Sequence, residues 1–184
     1  IITDLMKSCR NHNIHSMKEI ITICIPLLQE ADSTIRQSIL ESITELMKMC
    51  GNSDTDFIRE VIETFTPFLQ DSVWSVRQSA LQGITELLRI CGSSDTHSIK
   101  ATIKQFRSYL QDPNLNVKQS AVEDITELVK LCGSTETQLI EESMTSFTPL
   151  LQDSDPDIKR AALKGITELM KVHGSIETHF IKES

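Results

Sequence analysis

The tetrapeptide Ile84-Thr85-Glu86-Leu87 recurs along the chain at a constant step, and this recurrence decides the fold. Copies begin at Ile43, Ile84, Ile125 and Ile166, each 41 residues after the one before, and Ile2-Thr3-Asp4-Leu5 lies one step upstream. Nothing is inserted between the copies. A period of about 20 to 50 residues is typical of proteins built from stacked structural repeats.

Each period contains two stretches whose apolar residues follow the spacing of an α-helix. In the second period, the first stretch places apolar side chains at Phe57, Ile58, Val61, Ile62, Phe65, Phe68 and Leu69. The second stretch does so at Val76, Ala80, Leu81, Ile84, Leu87 and Leu88. Short polar links such as Gln70-Asp71-Ser72-Val73 lie between the two, so each unit is predicted to be a helix, a turn and a helix.

Glycines predict where the second helix of each unit ends. Gly51, Gly92, Gly133 and Gly174 follow the last apolar residues, where a left-handed backbone is favoured. Ser and Thr residues come next, as in Gly92-Ser93-Ser94-Asp95-Thr96, and can cap the following helix by accepting its free backbone N–H groups. Because a lone helix pair cannot hide its apolar stripes, successive pairs are predicted to stack around a shared core.

A motif of three residues recurs at the turn of every repeat. The motif is an acid in the turn, an aliphatic residue five later and a base six later. It appears as Glu30, Ile35 and Arg36, as Asp71, Val76 and Arg77, as Asp112, Val117 and Lys118, and as Asp153, Ile158 and Lys159. With this motif the chain resembles the HEAT-repeat family of armadillo-like proteins. In this family the acid and base form a ladder between turns, so we interpret these charges as structural. Pro26, Pro67 and Pro149 lie later in the first helix than the proline of the family, which predicts a late kink there.

The resemblance implies an all-α, right-handed α-solenoid of antiparallel helix pairs. We predict one array over residues 1–184, with 1–10 the second helix of a partial repeat. Full repeats follow over 11–51, 52–92, 93–133 and 134–174, and 175–184 begins a further repeat. Ile1 stands where an intact chain would have Met, so we expect an excerpt of a longer protein whose open ends allow self-association.

Composition narrows the class of partner. Apolar residues make up 39% and charged residues 24% of the 184 residues, as in soluble globular chains. The net charge of −8 would repel a phosphate backbone, and no apolar run approaches the roughly 18 to 20 residues that span a bilayer. We therefore expect neither a nucleic acid nor a membrane as partner. Five cysteines without scaffold spacing favour a reducing, cytoplasmic setting.

Two features suggest metal binding but are better explained by structure. Cys9, Cys50, Cys91 and Cys132 share one repeat position with His173, yet neighbouring helices pack about 8 to 10 Å apart, too far for shared coordination or a disulfide. We interpret this column as packing at helix ends. The turn Asp153-Ser154-Asp155-Pro156-Asp157 lacks the Gly and the later Glu of a calcium loop, since Ile158 and Lys164 stand there. We predict no metal and no cofactor.

Enzymatic branches of the family find no match in these residues. None of the five histidines precedes a Glu, the pair that marks the HEAT-like iron hydroxylase, and no nucleophile or phosphate-loop motif is present. HEAT-like DNA glycosylases need a basic concave groove, which the net charge of −8 does not favour. Trp74-Ser75-Val76-Arg77 resembles the turn of tubulin-binding TOG domains, although only this turn carries a Trp; the alternative is a partly buried Trp that covers helix ends. We predict a protein that is not an enzyme.

The outward side of the second helices is the candidate binding surface, because these helices commonly line the concave face of HEAT arrays. Two rows of polar residues vary between repeats while the scaffold does not. One row is Gln37, Gln78, Gln119 and Arg160, and the other is Glu41, Gln82, Glu123 and Lys164. We predict a non-catalytic scaffold that binds a protein or peptide along these rows. The alternatives are a solvated surface on a structural spacer or regulatory arm of a larger protein, and a TOG-like module.

Overall fold

The computed structural model describes residues 14–30, 32–50 and 54–182, and it is all-α over these ranges. Helices and turns occupy them, and no β-strand occurs there. No helix in the same ranges is long and apolar enough to cross a membrane. The prediction of an all-α fold of HEAT-like helix pairs is confirmed, whereas the predicted second helix at residues 1–10 lies outside the described part of the chain.

The helices alternate between shorter first helices and longer second helices. The first helices are α1 (Ile14–Glu30), α3 (Thr55–Phe65), α5 (Thr96–Phe106) and α7 (Thr137–Phe147). The second helices are α2 (Ser33–Cys50), α4 (Trp74–Cys91), α6 (Leu115–Cys132) and α8 (Pro156–Lys182). The starts of the second helices are one sequence period apart, because the same turn residues precede each of them. The exact bounds of the repeats stay a prediction.

The chain divides into two compact units between Cys91 and Gly92. Unit 1 contains α1 to α4 and unit 2 contains α5 to α8. Within each unit every first helix packs on the second helix that follows it, and the two second helices pack on each other, α2 on α4 and α6 on α8. Each unit thus contains one complete contact between neighbouring second helices.

Aliphatic side chains build most of the core of each unit, and a Phe at the end of α3, α5 and α7 adds to it. Phe65, Phe106 and Phe147 end α3, α5 and α7, and each is fully buried. The recurring Ile and Leu of the tetrapeptide are buried as well, as at Ile84 and Leu87. Because burying one such side chain contributes about 1.5–3 kcal/mol, the repeated sequence supplies a repeated core.

Glycines follow two second helices as the sequence predicts, whereas Asp and Asn side chains, rather than the predicted Ser and Thr, cap several helices. The Asp54 carboxylate accepts a hydrogen bond from the Phe57 backbone N–H at 3.0 Å, and the Asn114 side chain accepts one from the Asn116 N–H at 3.0 Å. Gly92 and Gly133 have φ of 73° and 82°, the left-handed conformation expected after a second helix. Gly51 lies outside the described residues.

The predicted helix end at Gly174 is wrong. Helix α8 runs from Pro156 through Gly174 to Lys182, and Gly174 is not among the glycines with positive φ. A glycine inside a helix costs only about 1 kcal/mol relative to alanine, so a helix can continue through it when no turn is enforced by packing.

The late change in the first helices occurs where predicted but does not depend on proline. Tighter 3₁₀ segments follow α3, α5 and α7, at Thr66–Gln70, Arg107–Gln111 and Thr148–Gln152. The first and last contain a proline at the second position, but the middle one has Ser108 there. Pro26, in contrast, lies inside the continuous helix α1. The proline ring is therefore not the cause of the change in helix type.

Candidate protein-binding surface

A shallow groove lies between the two second helices of each unit. In unit 1 the groove between α2 and α4 has a volume of about 410 Å³, with Glu41, Thr44, Lys48, Gln82 and Glu86 in its lining. In unit 2 the groove between α6 and α8 has a volume of about 440 Å³, with Glu123, Thr126, Lys130, Lys164 and Glu168 at the same positions. The repeat therefore builds the same groove in both units.

A glycine at the floor of each groove allows the two helices to approach closely. A Cβ on Gly83 would lie 2.6 Å from the Phe65 ring and 2.9 Å from the Thr44 Oγ1. A Cβ on Gly165 would lie 2.9 Å from the Thr126 Oγ1. Ordinary contacts between carbon atoms are about 3.5–4.0 Å long, so only glycine fits there without movement of its neighbours.

Alternating charges line the groove of unit 1. The Lys48 ammonium lies 2.9 Å from the Glu45 carboxylate and 4.0 Å from that of Glu86, and Arg89 donates to Glu86 at 2.5 Å. The hydrogen bond from Arg89 lowers the pKa of Glu86, and the bond to Glu45 raises the pKa of Lys48. Both shifts favour the charged forms, so these side chains are held as ions in a fixed order.

Unit 2 repeats this pattern of charges. Lys130 lies 3.0 Å from Glu127 and 3.8 Å from Glu168, and Lys171 lies 2.7 Å from Glu168. The bond from Lys171 lowers the pKa of Glu168, and the bond to Glu127 raises the pKa of Lys130. Such partly exposed pairs each contribute little to stability, about 0–1 kcal/mol, but they fix the polar surface that a partner would meet.

The residues predicted from the sequence divide into those that line a groove and those that lie one helical turn away. Glu41 and Gln82 line the groove of unit 1, and Glu123 and Lys164 line that of unit 2. The other row, namely Gln37, Gln78, Gln119 and Arg160, is not part of this lining. Two of its members hold the first row in place, since Gln37 donates to Glu41 at 2.9 Å and Gln119 donates to Glu123 at 2.9 Å.

Sequence reasoning missed the charged residues deeper in the grooves. The Glu of each Ile-Thr-Glu-Leu copy and the base three residues later form the ion pairs of the two grooves described above. The signal was present in the sequence, because Glu45, Glu86, Glu127 and Glu168 are followed by Lys48, Arg89, Lys130 and Lys171. The rows predicted from the sequence were those that vary between repeats, and these residues keep their charge in every repeat, so they were not among the predicted binding residues.

The acid and base of the turn motif form the predicted ladder within each unit. Arg36 makes a bidentate contact with Asp71 at 2.9 and 3.1 Å, and Lys118 donates to Asp153 at 2.8 Å. The hydrogen bond from Lys118 lowers the pKa of Asp153. Asp153 also accepts the backbone N–H of Asp155 at 3.0 Å. The prediction that these charges form a structural ladder is confirmed for these two pairs. The Asp153 carboxylate accepts hydrogen bonds from Lys118 and Asp155 of the same chain.

A second groove in unit 2 lies between the first helices α5 and α7. Its volume is about 430 Å³, and its walls carry opposite charges. Lys100 pairs with Glu136 at 2.8 Å, and Arg107 pairs with Glu142 at 3.0 Å. Lys104 is exposed in the same lining. The charges of this groove are thus largely paired across its two walls.

The repeats of this chain match a known protein family. Residues 2–179 match the model of a family described as "Sister chromatid cohesion protein PDS5 protein". The chain belongs to this PDS5 family. The match spans nearly the whole chain, and the predicted HEAT-like repeats agree with it. No curated protein sequence matches the chain.

Solved structures support the fold of this PDS5 family chain. Two crystal structures of engineered proteins from the Northeast Structural Genomics Consortium match 86% of the chain, each with a TM-score of 0.55, at 14% and 13% identity. The match covers 68% of the first engineered chain and 41% of the second. At such low identity the likeness concerns the fold alone.

The remaining candidate features of the PDS5 family chain are its cysteines and Trp74. Cys91 is buried and Cys132 is half-buried, and burial raises the pKa of the Cys132 thiol. Cys50 and Cys9 lie where side chains are not described. Trp74 begins α4 with 40% of its surface exposed, so it is only partly buried at the helix end. In the described part of the chain, no group of three or more His, Cys, Asp or Glu residues is arranged to hold a metal.

Proposed function

We propose that this PDS5 family chain is a scaffold that binds a protein or peptide partner in the grooves between its second helices. The observation that carries the proposal is the repetition of one charged groove in both units, with equivalent residues at equivalent positions. Polar residues that face solvent contribute little to folding. Their fixed array supplies the pattern of charges by which a partner would be selected.

The partner is proposed from the family description, which links PDS5 proteins to sister chromatid cohesion. We propose that the chain binds a subunit of the complex that holds sister chromatids together. This partner would place the chain at chromosomes. The cysteine content of the sequence, taken alone, favours the cytoplasm instead. The absence of catalysis and of nucleic-acid binding stays a prediction, because neither the geometry nor the family match tests it.

The groove of unit 2 gives the more specific prediction, because basic residues lie at one end of it. Lys164 lines the groove between α6 and α8, and Arg160 lies one turn before it on α8. Arg160 is exposed and pairs with Asp157, three residues earlier on the same helix, at 2.6 Å. At the equivalent positions of unit 1 stand Gln78 and Gln82, so the basic character is specific to unit 2. An acidic or mixed-charge segment of the partner fits this end.

The test is a binding titration with purified subunits of the cohesion complex. We expect the double change Arg160→Glu and Lys164→Glu to weaken binding by at least about tenfold, equivalent to about 1.4 kcal/mol, since both charges would repel the same segment. Lys104→Glu is the matched control, because it reverses an exposed charge in the same unit outside the groove between α6 and α8. We expect wild-type affinity for this control.

The outcomes separate the alternatives. A chain that binds none of the subunits would indicate a structural spacer or regulatory arm. Loss of binding with Lys104→Glu, together with full binding by the double variant, would move the site to the groove between α5 and α7. A TOG-like module would instead lose tubulin binding on Trp74→Ala, with no dependence on Arg160 or Lys164.

A further inference from the structure

Three basic residues lie on one side of α5 and of the 3₁₀ segment that follows it. Lys100 and Lys104 belong to α5, and Arg107 is the first residue of the 3₁₀ segment. Residues at this spacing share one face of a helix. All three line the groove between α5 and α7 in unit 2.

This basic set is peculiar to α5. Among the described first helices, only α5 has a base at all three positions. The equivalent residues are Lys18, Thr22 and Ile25 for α1, Arg59, Glu63 and Thr66 for α3, and Glu141, Thr145 and Thr148 for α7. Thr stands twice at each of the last two positions, so the repeat fold needs neither the Lys104 ammonium nor the Arg107 guanidinium for its own packing.

The groove between α5 and α7 has one more base than acid. Lys100 pairs with Glu136 at 2.8 Å, and Arg107 pairs with Glu142 at 3.0 Å. The exposed Lys104 makes no ion pair with any residue that the structure describes. The lining therefore keeps one uncompensated positive charge, which one carboxylate of a partner would balance.

Arg107 adds unused hydrogen-bond donors to this charge. Its Nη1 donates to Glu142, whereas its Nε and Nη2 are enclosed by protein and have no hydrogen-bond partner in the described part of the chain. Native structures rarely leave such donors without an acceptor, because the loss of hydration is not repaid. The Arg107 side chain is 26% exposed, so the guanidinium can turn within the groove. Gln138 would still donate to Glu142 at 2.9 Å after such a turn.

We propose that the groove between α5 and α7 binds an acidic segment of a partner protein, with one carboxylate held by Lys104 and Arg107. The two oxygens of a carboxylate match the fork of a guanidinium and also accept from an ammonium. The half-buried Leu139 lies in the same lining and would contact an apolar residue next to the acid. Glu136 and Glu142 would repel a continuous row of phosphates, so the groove favours a protein segment over a nucleic acid.

This site is formed by first helices and is separate from the groove between α6 and α8. It does not rest on the function proposed above. Binding at one groove can therefore be lost while binding at the other is kept.

The test is a titration of the 184-residue chain with two synthetic peptides. Both have blocked ends and Gly and Ser residues around a central pair, which is Glu-Leu in one and Gln-Leu in the other. We expect the Glu peptide to shift the NMR signals of the Lys104, Arg107 and Leu139 backbone amides and to bind at least about tenfold more tightly than the Gln peptide. Its binding should weaken as salt is added, because salt screens exposed charges.

Two substitutions remove the site and keep the repeat fold. Lys104→Thr and Arg107→Thr each introduce the residue that stands at the equivalent position of the following repeat. Each should weaken binding of the Glu peptide by at least about fivefold. Lys159→Thr is the matched control, since it removes an exposed charge of unit 2 outside the groove and should leave the affinity unchanged. Unfolding midpoints no lower than that of the wild type would show that the variants fold.

Four results would overturn the proposal. The first two are equal binding of the Glu and Gln peptides, or no binding of either at millimolar concentration, and the third is wild-type affinity in both Thr variants. Tighter binding of the same peptide with phosphoserine in place of Glu would overturn the assignment to a carboxylate. Tighter binding of a single-stranded oligonucleotide at the same amides would overturn the assignment to a protein partner, as part of the same fourth result.

Discussion

Replacing Gly83 by alanine tests the close approach of α2 and α4 at the floor of the groove in unit 1. The added methyl group would lie 2.6 and 2.9 Å from two atoms of the Phe65 ring and 2.9 Å from the Thr44 Oγ1. Phe65 is fully buried, so its ring cannot swing away without disturbing the core. Overpacking of this kind typically costs about 1–3 kcal/mol.

A second effect opposes this cost. Alanine is favoured over glycine inside a helix by about 1 kcal/mol. Because the methyl group meets a rigid ring as well as a side chain from the neighbouring helix, we place the steric cost in the upper half of its range. The net expectation for Gly83→Ala is therefore a destabilisation of about 1–2 kcal/mol.

Gly174→Ala is the matched control for helix propensity alone. Gly174 lies inside α8, and apart from its chain neighbours and the backbone of α8 no described atom is within 4 Å of its would-be Cβ. The same substitution should therefore stabilise the protein, by up to about 1 kcal/mol. If Gly174 instead ended the helix in a left-handed conformation, as the sequence suggested, alanine would destabilise there by about 1–2 kcal/mol.

The assay is urea unfolding followed by circular dichroism, with midpoints compared at unchanged slope. We expect the midpoint of Gly83→Ala to fall and that of Gly174→Ala to rise. A stabilising Gly83→Ala would refute the close approach of the two helices. A destabilising Gly174→Ala would refute the continuous helix α8.

Three further predictions concern caps, charge and backbone. Asn114→Ala should destabilise by about 1 kcal/mol in urea unfolding, because the Asn114 side chain caps α6; an unchanged midpoint would contradict the cap. The pKa of Asp153 is lowered from 3.8 by Lys118, so its contribution to stability is present above that value and is lost as the pH falls through the lower pKa of the folded state. Asp153→Asn should therefore lower stability at neutral pH and flatten the acid limb of a plot of stability against pH, and an unaltered limb would count against this ion pair. Gly133→Ala should destabilise by about 1–2 kcal/mol because φ is 82° there, which a rise in midpoint would disprove.

The repeated sequence determined the elements and their pairing. Apolar residues with the spacing of Ile84 and Leu87 lie on one face of a helix, and that face is buried. The spacing was therefore enough to predict helix pairs with a shared core. The turn motif likewise identified Arg36 with Asp71 and Lys118 with Asp153 as structural pairs, because a motif that recurs in each repeat brings each base near the next acid.

The tertiary structure decided the surface and the helix ends. Gly174 stands at the same repeat position as Gly92 and Gly133, yet α8 continues through it while they follow the ends of α4 and α6, so the local pattern does not decide the helix end. The 3₁₀ segment Arg107–Gln111 forms without proline, so a proline is not what decides where the first helix changes type. Glu86 and Lys48 belong to different repeats, and only the packing of α2 on α4 brings their charges into one groove. Local sequence fixes which face of a helix is apolar, whereas contacts between helices fix which polar residues share a surface.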